Sequence, residues 1–156
     1  MSRPLQVDVV RHRALWAPAA AEIRAWASAA LGRRASGHEL AVRIVGTAES
    51  RRLNARYRGR NHPTNVLSFP TSTAALPPPA ASPLGDLVIC SRVVRAEARG
   101  QRKSLRAHWA HLVVHGALHL IGYDHERVRD ARRMERREIA IMKRLGFANP
   151  YAHRST

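Results

Sequence analysis

Residues 115–125 read HGALHLIGYDH, and this stretch decides how the surrounding chain folds. His115 and His119 are four positions apart, so on a helix they share one face, with Cβ atoms about 5–6 Å apart. Gly122 ends that helix and lets the chain turn back. His125 then follows close behind and can supply a third nitrogen to the same point. The stretch therefore predicts a metal site built on a helix and the turn after it.

The ligand types indicate the metal. Three neutral imidazoles with one position left open are typical of a catalytic zinc, whereas structural zinc sites are closed and commonly contain thiolates. We therefore expect one zinc ion per chain, bound by His115, His119 and His125. The spacing of the three histidines and the glycine is also that of the metzincin proteases. Those enzymes carry Glu directly after the first histidine as general base, and here that position is Gly116.

Asp124 is the candidate catalytic acid or base beside this stretch. With Glu126 it flanks His125, whereas Asp86 is far away along the chain. Asp124 can orient a ligand or transfer a proton. It can equally cap the turn after Gly122, and the sequence leaves both roles open.

Two more histidines, His108 and His111, lie on the same helical stripe as His115. A buried imidazole is costly unless it has a hydrogen-bond partner. We therefore interpret these two side chains as hydrogen-bonded neighbours of the ligands, in preference to additional ligands.

The rest of the chain predicts a mixture of helices and strands. Residues 105–120 are apolar nearly all round, which is typical of a buried helix. Other patterns predict strands at 5–10, 39–45, 66–69 and 84–90, and helices at 18–31, 47–57, 91–99 and 128–145. Thr47 and Ser91 are predicted N-caps of two of these helices. The elements do not alternate as a regular βαβ repeat, so we expect an α+β fold in which a small mixed sheet of about four strands packs with helices.

We predict one domain over residues 1–156, because that length can bury a substantial core and no internal repeat or domain boundary is visible. Residues 71–83 consist mainly of small residues and prolines, which predicts an exposed loop inserted within the domain. Cys90 lies in an apolar run and is predicted to be a small buried side chain. It is the only cysteine, so no internal disulfide can form and a reducing compartment is expected.

The charge points to the class of partner. The chain has 27 Lys and Arg against 11 Asp and Glu, a net charge of +16, which attracts polyanions and above all nucleic acid. The N-terminus lacks the apolar core of a signal peptide, and no apolar run approaches the length of a membrane helix. We therefore expect a soluble, cytoplasmic protein that binds RNA and does not enter a membrane.

These motifs resemble a known family. Residues 115–125 are similar to the signature of the YbeY family, bacterial metal-dependent endoribonucleases also described as rRNA maturation factors. Residues 57–70, YRGRNHPTNVLSFP, and residues 84–90, LGDLVIC, resemble two further motifs of that family. The last helix and the segment up to Tyr151 also fit, so the resemblance covers most of the chain from Glu39 onward.

The resemblance implies a zincin-like α+β fold, with zinc ligands that match His115, His119 and His125. The functionally important arginine of the family matches Arg58. The implied activity is cleavage of single-stranded RNA in rRNA maturation, at the 3′ end of the small-subunit rRNA, and in ribosome quality control. RNA and the ribosome are the implied partners. The chain departs from the family at Asn61, where Asp is usual. A role that the family assigns to that Asp therefore does not carry over to this chain.

Arg58 also has a physical rationale of its own. It precedes Gly59, where a helix is expected to end, and a guanidinium binds phosphate in a planar fork and can stabilise developing negative charge.

Two other functions stay open. One is a zinc metallopeptidase, which the ligand spacing favours and Gly116 disfavours. The other is a ribosome assembly factor with weak nuclease activity.

Overall fold

A mixed β-sheet forms the framework of the molecule. The structure is a computed structural model that describes residues 3–12, 14–71 and 82–152. Within these residues the sheet has four strands, which are β1 (Gln6–Arg11), β2 (His38–Val45), β3 (Val66–Pro70) and β4 (Ser82–Cys90). Their order is β1-β2-β4-β3. β1, β2 and β4 are parallel, and β3 is antiparallel to β4. The predicted α+β fold with a small mixed sheet is confirmed.

Helices cover the sheet. The same residues contain α1 (Ala20–Leu31), α2 (Thr47–Arg58), α3 (Ser91–Gly100), α4 (Leu105–Leu120) and α5 (Val128–Arg144), with a 3₁₀ turn at Gly32–Ala35 after α1. Helix α4 has the bounds predicted for it and contacts α1, α3, α5, β3 and β4, which explains why it is apolar nearly all round. Among the helices of the described residues, none has the length and apolarity needed to cross a bilayer.

Strand β4 contributes to a core on each face of the sheet. Leu87 and Ile89 face the larger core, which α1, α4 and α5 complete. Val88 and Cys90 face a smaller cluster on the other side, where Leu53 of α2 packs against them. Successive side chains of a strand point to opposite faces, which produces this alternation. Cys90 is fully buried, as predicted.

Helix α4 approaches the sheet most closely at Gly116. A Cβ atom there would lie 2.8 Å from Leu87 Cδ2 and 3.3 Å from Ser68 Oγ. The Ser68 hydroxyl donates a hydrogen bond to the Gly116 carbonyl at 3.2 Å. A side chain at this position would therefore enter the helix–sheet contact, which gives a packing reason for glycine where a metzincin has its catalytic Glu.

The Gly85→Ala protein is expected to lose about 2 kcal/mol of stability, the scale for forcing a non-glycine residue into a glycine-only conformation. Gly85 has φ +146, and a Cβ atom there would lie 2.3 Å from the Phe69 carbonyl oxygen. Because that obstacle is backbone of the paired strand, it cannot rotate away. Urea denaturation measures the loss. Gly100→Ala is the matched control, since nothing lies within 4 Å of its Cβ position. Equal stability of the two variants would contradict the argument.

The two predicted N-caps are wrong by one residue. Gly46 and Cys90 occupy the cap positions, and Thr47 and Ser91 are the first residues of α2 and α3. The Ser91 hydroxyl instead donates to the carbonyl of Trp16 at 2.7 Å. A tertiary contact therefore takes the hydroxyl that a local cap would have used.

The predicted loop over residues 71–83 lies mostly outside the described residues, which omit 72–81. Its C-terminal limit is wrong, because β4 already begins at Ser82 and Pro83 pairs with Glu39. The pairing of β3 with β4 extends only to Gly85, so Pro83 lies where β4 has β2 as its neighbour. A proline is tolerated at the start of a strand, where its missing N–H breaks little of the ladder.

Candidate metal centre

The three predicted ligand histidines converge on one point. Nε2 of His115 lies 3.2 Å from Nε2 of His119, which in turn lies 3.0 Å from Nδ1 of His125. All three nitrogens lie within 4.8 Å of one another. In a tetrahedral zinc site with Zn–N distances of about 2.0–2.1 Å, neighbouring nitrogens are about 3.3 Å apart. Both the donor atoms and their spacing fit a zinc ion, and His125 lies exposed to solvent.

The turn after α4 brings the third histidine into place. The amide of Gly122 donates to the carbonyl of His119 at 3.1 Å, and the amide of Tyr123 donates to that of Leu118 at 3.0 Å. Gly122 has φ +100, a conformation that side chains rarely adopt. The chain therefore reverses here, and the ring centroids of His119 and His125 come within 4.7 Å. The predicted glycine turn is confirmed.

The electrostatic surroundings keep the central ligand neutral. Burial, followed by the neighbouring His115 and His125, lowers the pKa of His119 to about 4, although a hydrogen bond with the Tyr123 backbone acts in the opposite direction. At neutral pH the ring is therefore uncharged. Its lone pair is available to a metal ion, since only a neutral imidazole is a ligand.

Asp124 caps the turn that carries the third histidine. Its Oδ1 accepts hydrogen bonds from the amide of His125 at 2.7 Å and from the amide of Glu126 at 3.3 Å. Of the two roles left open by the sequence, the structure displays the capping one. These bonds also fix the backbone of His125, so Asp124 supports the position of a candidate ligand.

His108 and His111 are hydrogen-bonded, as interpreted from the sequence. Nε2 of His108 lies 2.9 Å from Oε1 of Glu97, and Nε2 of His111 contacts Oε2 of Glu138. Both rings are buried and neither belongs to the three-histidine group, although His111 does lie in a second group with His115 and Glu138.

Glu138 of α5 is the site residue that the sequence analysis missed. Its Oε1 lies 3.0 Å from Nδ1 of His115, and the hydroxyl of Tyr151 donates to its Oε2 at 2.5 Å. Burial alone would raise the pKa of Glu138, but the hydrogen bonds from His111 and His115 outweigh it and lower the pKa to about 2. Glu138 is therefore a fully buried carboxylate that is ionised at neutral pH.

A signal for Glu138 was present in the sequence. Helix α5 buries Met134, Glu138, Ile141 and Met142, which is the i, i+4, i+7, i+8 stripe of an amphipathic helix. An acidic residue on such a stripe needs a buried partner. The partner histidines lie on another helix, so the stripe alone does not reveal them.

Arg58 is placed by the end of helix α2. It is the last residue of α2, which ends where Gly59 adopts φ +68 and its amide donates to the Ala55 carbonyl at 3.1 Å. The positive charge of Arg58 is a further cause of the low pKa of His119, although it contributes less than burial and the two neighbouring imidazole rings. The side chain is exposed, so its guanidinium can meet a ligand that approaches from solvent.

A family model described as Endoribonuclease YbeY matches residues 14–146. The chain belongs to the YbeY endoribonuclease family. An Endoribonuclease YbeY of Alkalilimnicola ehrlichii is 55% identical over an alignment of 141 positions that covers 86% of this chain and 82% of the relative. Another, of Halorhodospira halophila, is 52% identical over an alignment of 139 positions that covers 88% of this chain and 90% of the relative.

A solved structure has a similar fold. The solution structure of a Thermotoga maritima protein is 19% identical, with a TM-score of 0.58, over 90% of this chain and 92% of that one. At this identity the likeness concerns the fold alone. Membership of this endoribonuclease family supports a nuclease-type hydrolase, which favours the nuclease over the metallopeptidase alternative.

Proposed function

We propose that this chain is a zinc-dependent endoribonuclease that cuts single-stranded RNA, and that it acts in maturation of the small-subunit rRNA 3′ end and in ribosome quality control. The observation that carries the proposal is the convergence of three histidine nitrogens at spacings of 3.0 and 3.2 Å, in a chain of an endoribonuclease family. The proposed role in rRNA maturation and ribosome quality control follows from the family resemblance.

Each residue of the site has its own role in the proposed reaction. His115, His119 and His125 hold the metal, which when bound supplies a Lewis acid that activates water and polarises a phosphoryl oxygen. Arg58 binds the scissile phosphate and stabilises the charge that develops in the transition state. Asp124 keeps the turn of His125 in place through its two backbone hydrogen bonds and is our candidate for proton transfer.

The basic surface supplies affinity for the RNA backbone. Exposed arginines occur along α2 and along α5, which are Arg51, Arg52, Arg56, Arg58, Arg129, Arg132, Arg133, Arg136 and Arg144. Few acidic residues offset them in a chain of net charge +16. Such a surface releases counterions from RNA when it binds, so affinity depends on salt.

Binding of single-stranded RNA is expected to weaken about 50-fold between 50 and 200 mM salt, if about four phosphates are contacted with a slope of about −0.7 per phosphate. Fluorescence anisotropy with a labelled oligoribonucleotide measures this. A duplex of the same sequence is the comparison, and it should be cut more slowly because the half-buried His115 and His119 are harder for its phosphates to reach. Salt-independent binding, or equal cleavage of duplex and single strand, would count against the proposal.

The activity itself is tested with zinc-loaded and chelator-treated protein on single-stranded RNA and on casein. We expect internal cleavage of RNA by the loaded protein only, with casein intact. Casein digestion without RNA cleavage would replace the proposal with a peptidase. The product ends identify the nucleophile, since a 2′,3′-cyclic phosphate indicates attack by the 2′-hydroxyl. Ribosome binding and precursor rRNA cleavage by the same preparations test the ribosomal role.

A further inference from the structure

A buried hydrogen-bond network lies behind the metal centre. Its hub is the Glu138 carboxylate of α5, which is fully buried. One carboxylate oxygen faces Nδ1 of His115 at 3.0 Å, and the other faces Nε2 of His111 and the hydroxyl of Tyr151. The network therefore joins α5 and the segment after it to a candidate ligand on α4.

The bond to His115 determines which ring nitrogen carries the proton. A carboxylate oxygen that faces Nδ1 at 3.0 Å accepts a hydrogen bond from that nitrogen, so the bond places a proton on Nδ1. The lone pair is then on Nε2, the atom that lies 3.2 Å from Nε2 of His119. Metal-binding histidines commonly donate the other ring N–H to a carboxylate, and this raises their basicity and fixes the ring. The same carboxylate thus sets both the tautomer and the direction of the lone pair.

The carboxylate is itself held on its other side. The Tyr151 hydroxyl donates to Oε2 at 2.5 Å, and the His111 ring packs edge-on against the Tyr151 ring with centroids 5.1 Å apart. Lys103 donates to the carbonyl of Pro150 at 2.5 Å. This hydrogen bond helps to hold the segment that carries Tyr151 in place. The partners of Glu138 therefore come from two parts of the chain, α4 and the segment after α5, and its position does not depend on α5 alone.

We infer that Glu138 is a positioning residue for the metal site: it holds His115 with Nε2 directed at the metal, while His111 and Tyr151 hold Glu138. The inference rests on the proposed function, since it requires a metal at the three histidines. It assigns the group formed by His111, His115 and Glu138 to hydrogen bonding and not to a second metal ion.

Zinc affinity of the Glu138→Gln protein is expected to fall about 10–100-fold, the usual cost of losing such a partner of a metal-binding histidine. Gln keeps the size of the side chain but can no longer accept from both sides. Competition with a chromophoric chelator measures affinity without reference to catalysis. Tyr151→Phe removes a single donor to Glu138 and should cause a smaller loss in the same direction.

Glu97→Gln is the matched control. Glu97 is also a carboxylate that faces a histidine of α4, since its Oε1 lies 2.9 Å from Nε2 of His108, but His108 is outside the three-histidine group. This variant should change thermal stability and leave zinc affinity within about threefold, well below the range for a ligand's own partner. A general effect of disturbing α4 would instead lower the affinity of both variants equally, and that result would overturn the inference.

The tautomer of His115 in the metal-free wild-type protein gives an independent test, which holds even if Glu138→Gln fails to fold. Long-range ¹H–¹⁵N spectra should show the proton of His115 on Nδ1. A proton on Nε2, unchanged zinc affinity in a folded Glu138→Gln protein, or two zinc ions per wild-type chain would each contradict the inference. Wild-type protein that binds no zinc would overturn the proposed function itself.

Discussion

The His119→Ala protein is expected to bind zinc more than about 100-fold more weakly than the wild type, because losing a direct ligand costs more than the roughly 10–100-fold of losing a ligand's hydrogen-bond partner. His119 is the central nitrogen of the group, at 3.2 Å from His115 and 3.0 Å from His125. Its removal leaves His115 and His125 as donors, without the ring nitrogen that lies next to both of them. RNA cleavage at limiting zinc should fall with the occupancy of the site.

The measurement is metal content after dialysis, together with chelator competition. His62→Ala is the control, because His62 is an exposed histidine outside the group. It should retain about one zinc per chain. Circular dichroism checks that the His119→Ala protein is folded. We expect it to fold, because α4 contributes many other fully buried residues to the core. Undiminished zinc in that folded protein would show that the three histidines are not the site.

Local patterns made the metal centre predictable. Helix α4 begins and ends at the predicted residues, because a stretch that is apolar all round has few alternatives to a buried helix. Within it, the spacing of His115 and His119 follows from helical geometry. The glycine at position 122 then determines where the chain can reverse. Each of these steps depends on residues close together in the sequence.

The support of the centre was less predictable, because its contacts are long-range. Glu138 meets His115 across 23 residues and His111 across 27. Nothing in the spacing of α5 specifies which face of α4 it packs against, since that depends on the sheet order and on α1. The acidic residue on the buried stripe indicates that a partner exists without naming it.

Asp124 and Gly116 show the same division. The sequence left Asp124 between two roles, and short-range geometry displays one of them, with two backbone amides on its Oδ1. The sequence also showed that Gly116 replaces a catalytic Glu, but gave no reason. The reason is the close approach of α4 to Leu87 and Ser68, which only the packed structure contains.

Cleavage of single-stranded RNA by the Arg58→Ala protein is expected to be about 10²–10³-fold slower at saturating substrate, the scale for losing one preorganised donor that stabilises transition-state charge. Zinc content and thermal stability should stay close to wild type. Arg58 is exposed, and a guanidinium remains protonated in proteins, so it is neither part of the core nor a ligand. Single-turnover kinetics with a labelled oligoribonucleotide separate this effect on rate from any effect on binding.

Two further variants distinguish chemistry from general charge. Arg58→Lys should recover only part of the rate, because an ammonium keeps the charge but lacks the planar fork that matches a phosphate. Arg52→Ala removes an exposed arginine from the same helix and should weaken RNA binding modestly and in a salt-dependent way, with the saturated rate unchanged. The position of Arg58 explains the contrast, since its charge reaches His119 from the end of α2. Wild-type cleavage by Arg58→Ala at saturating RNA would reduce Arg58 to one more arginine of the basic surface.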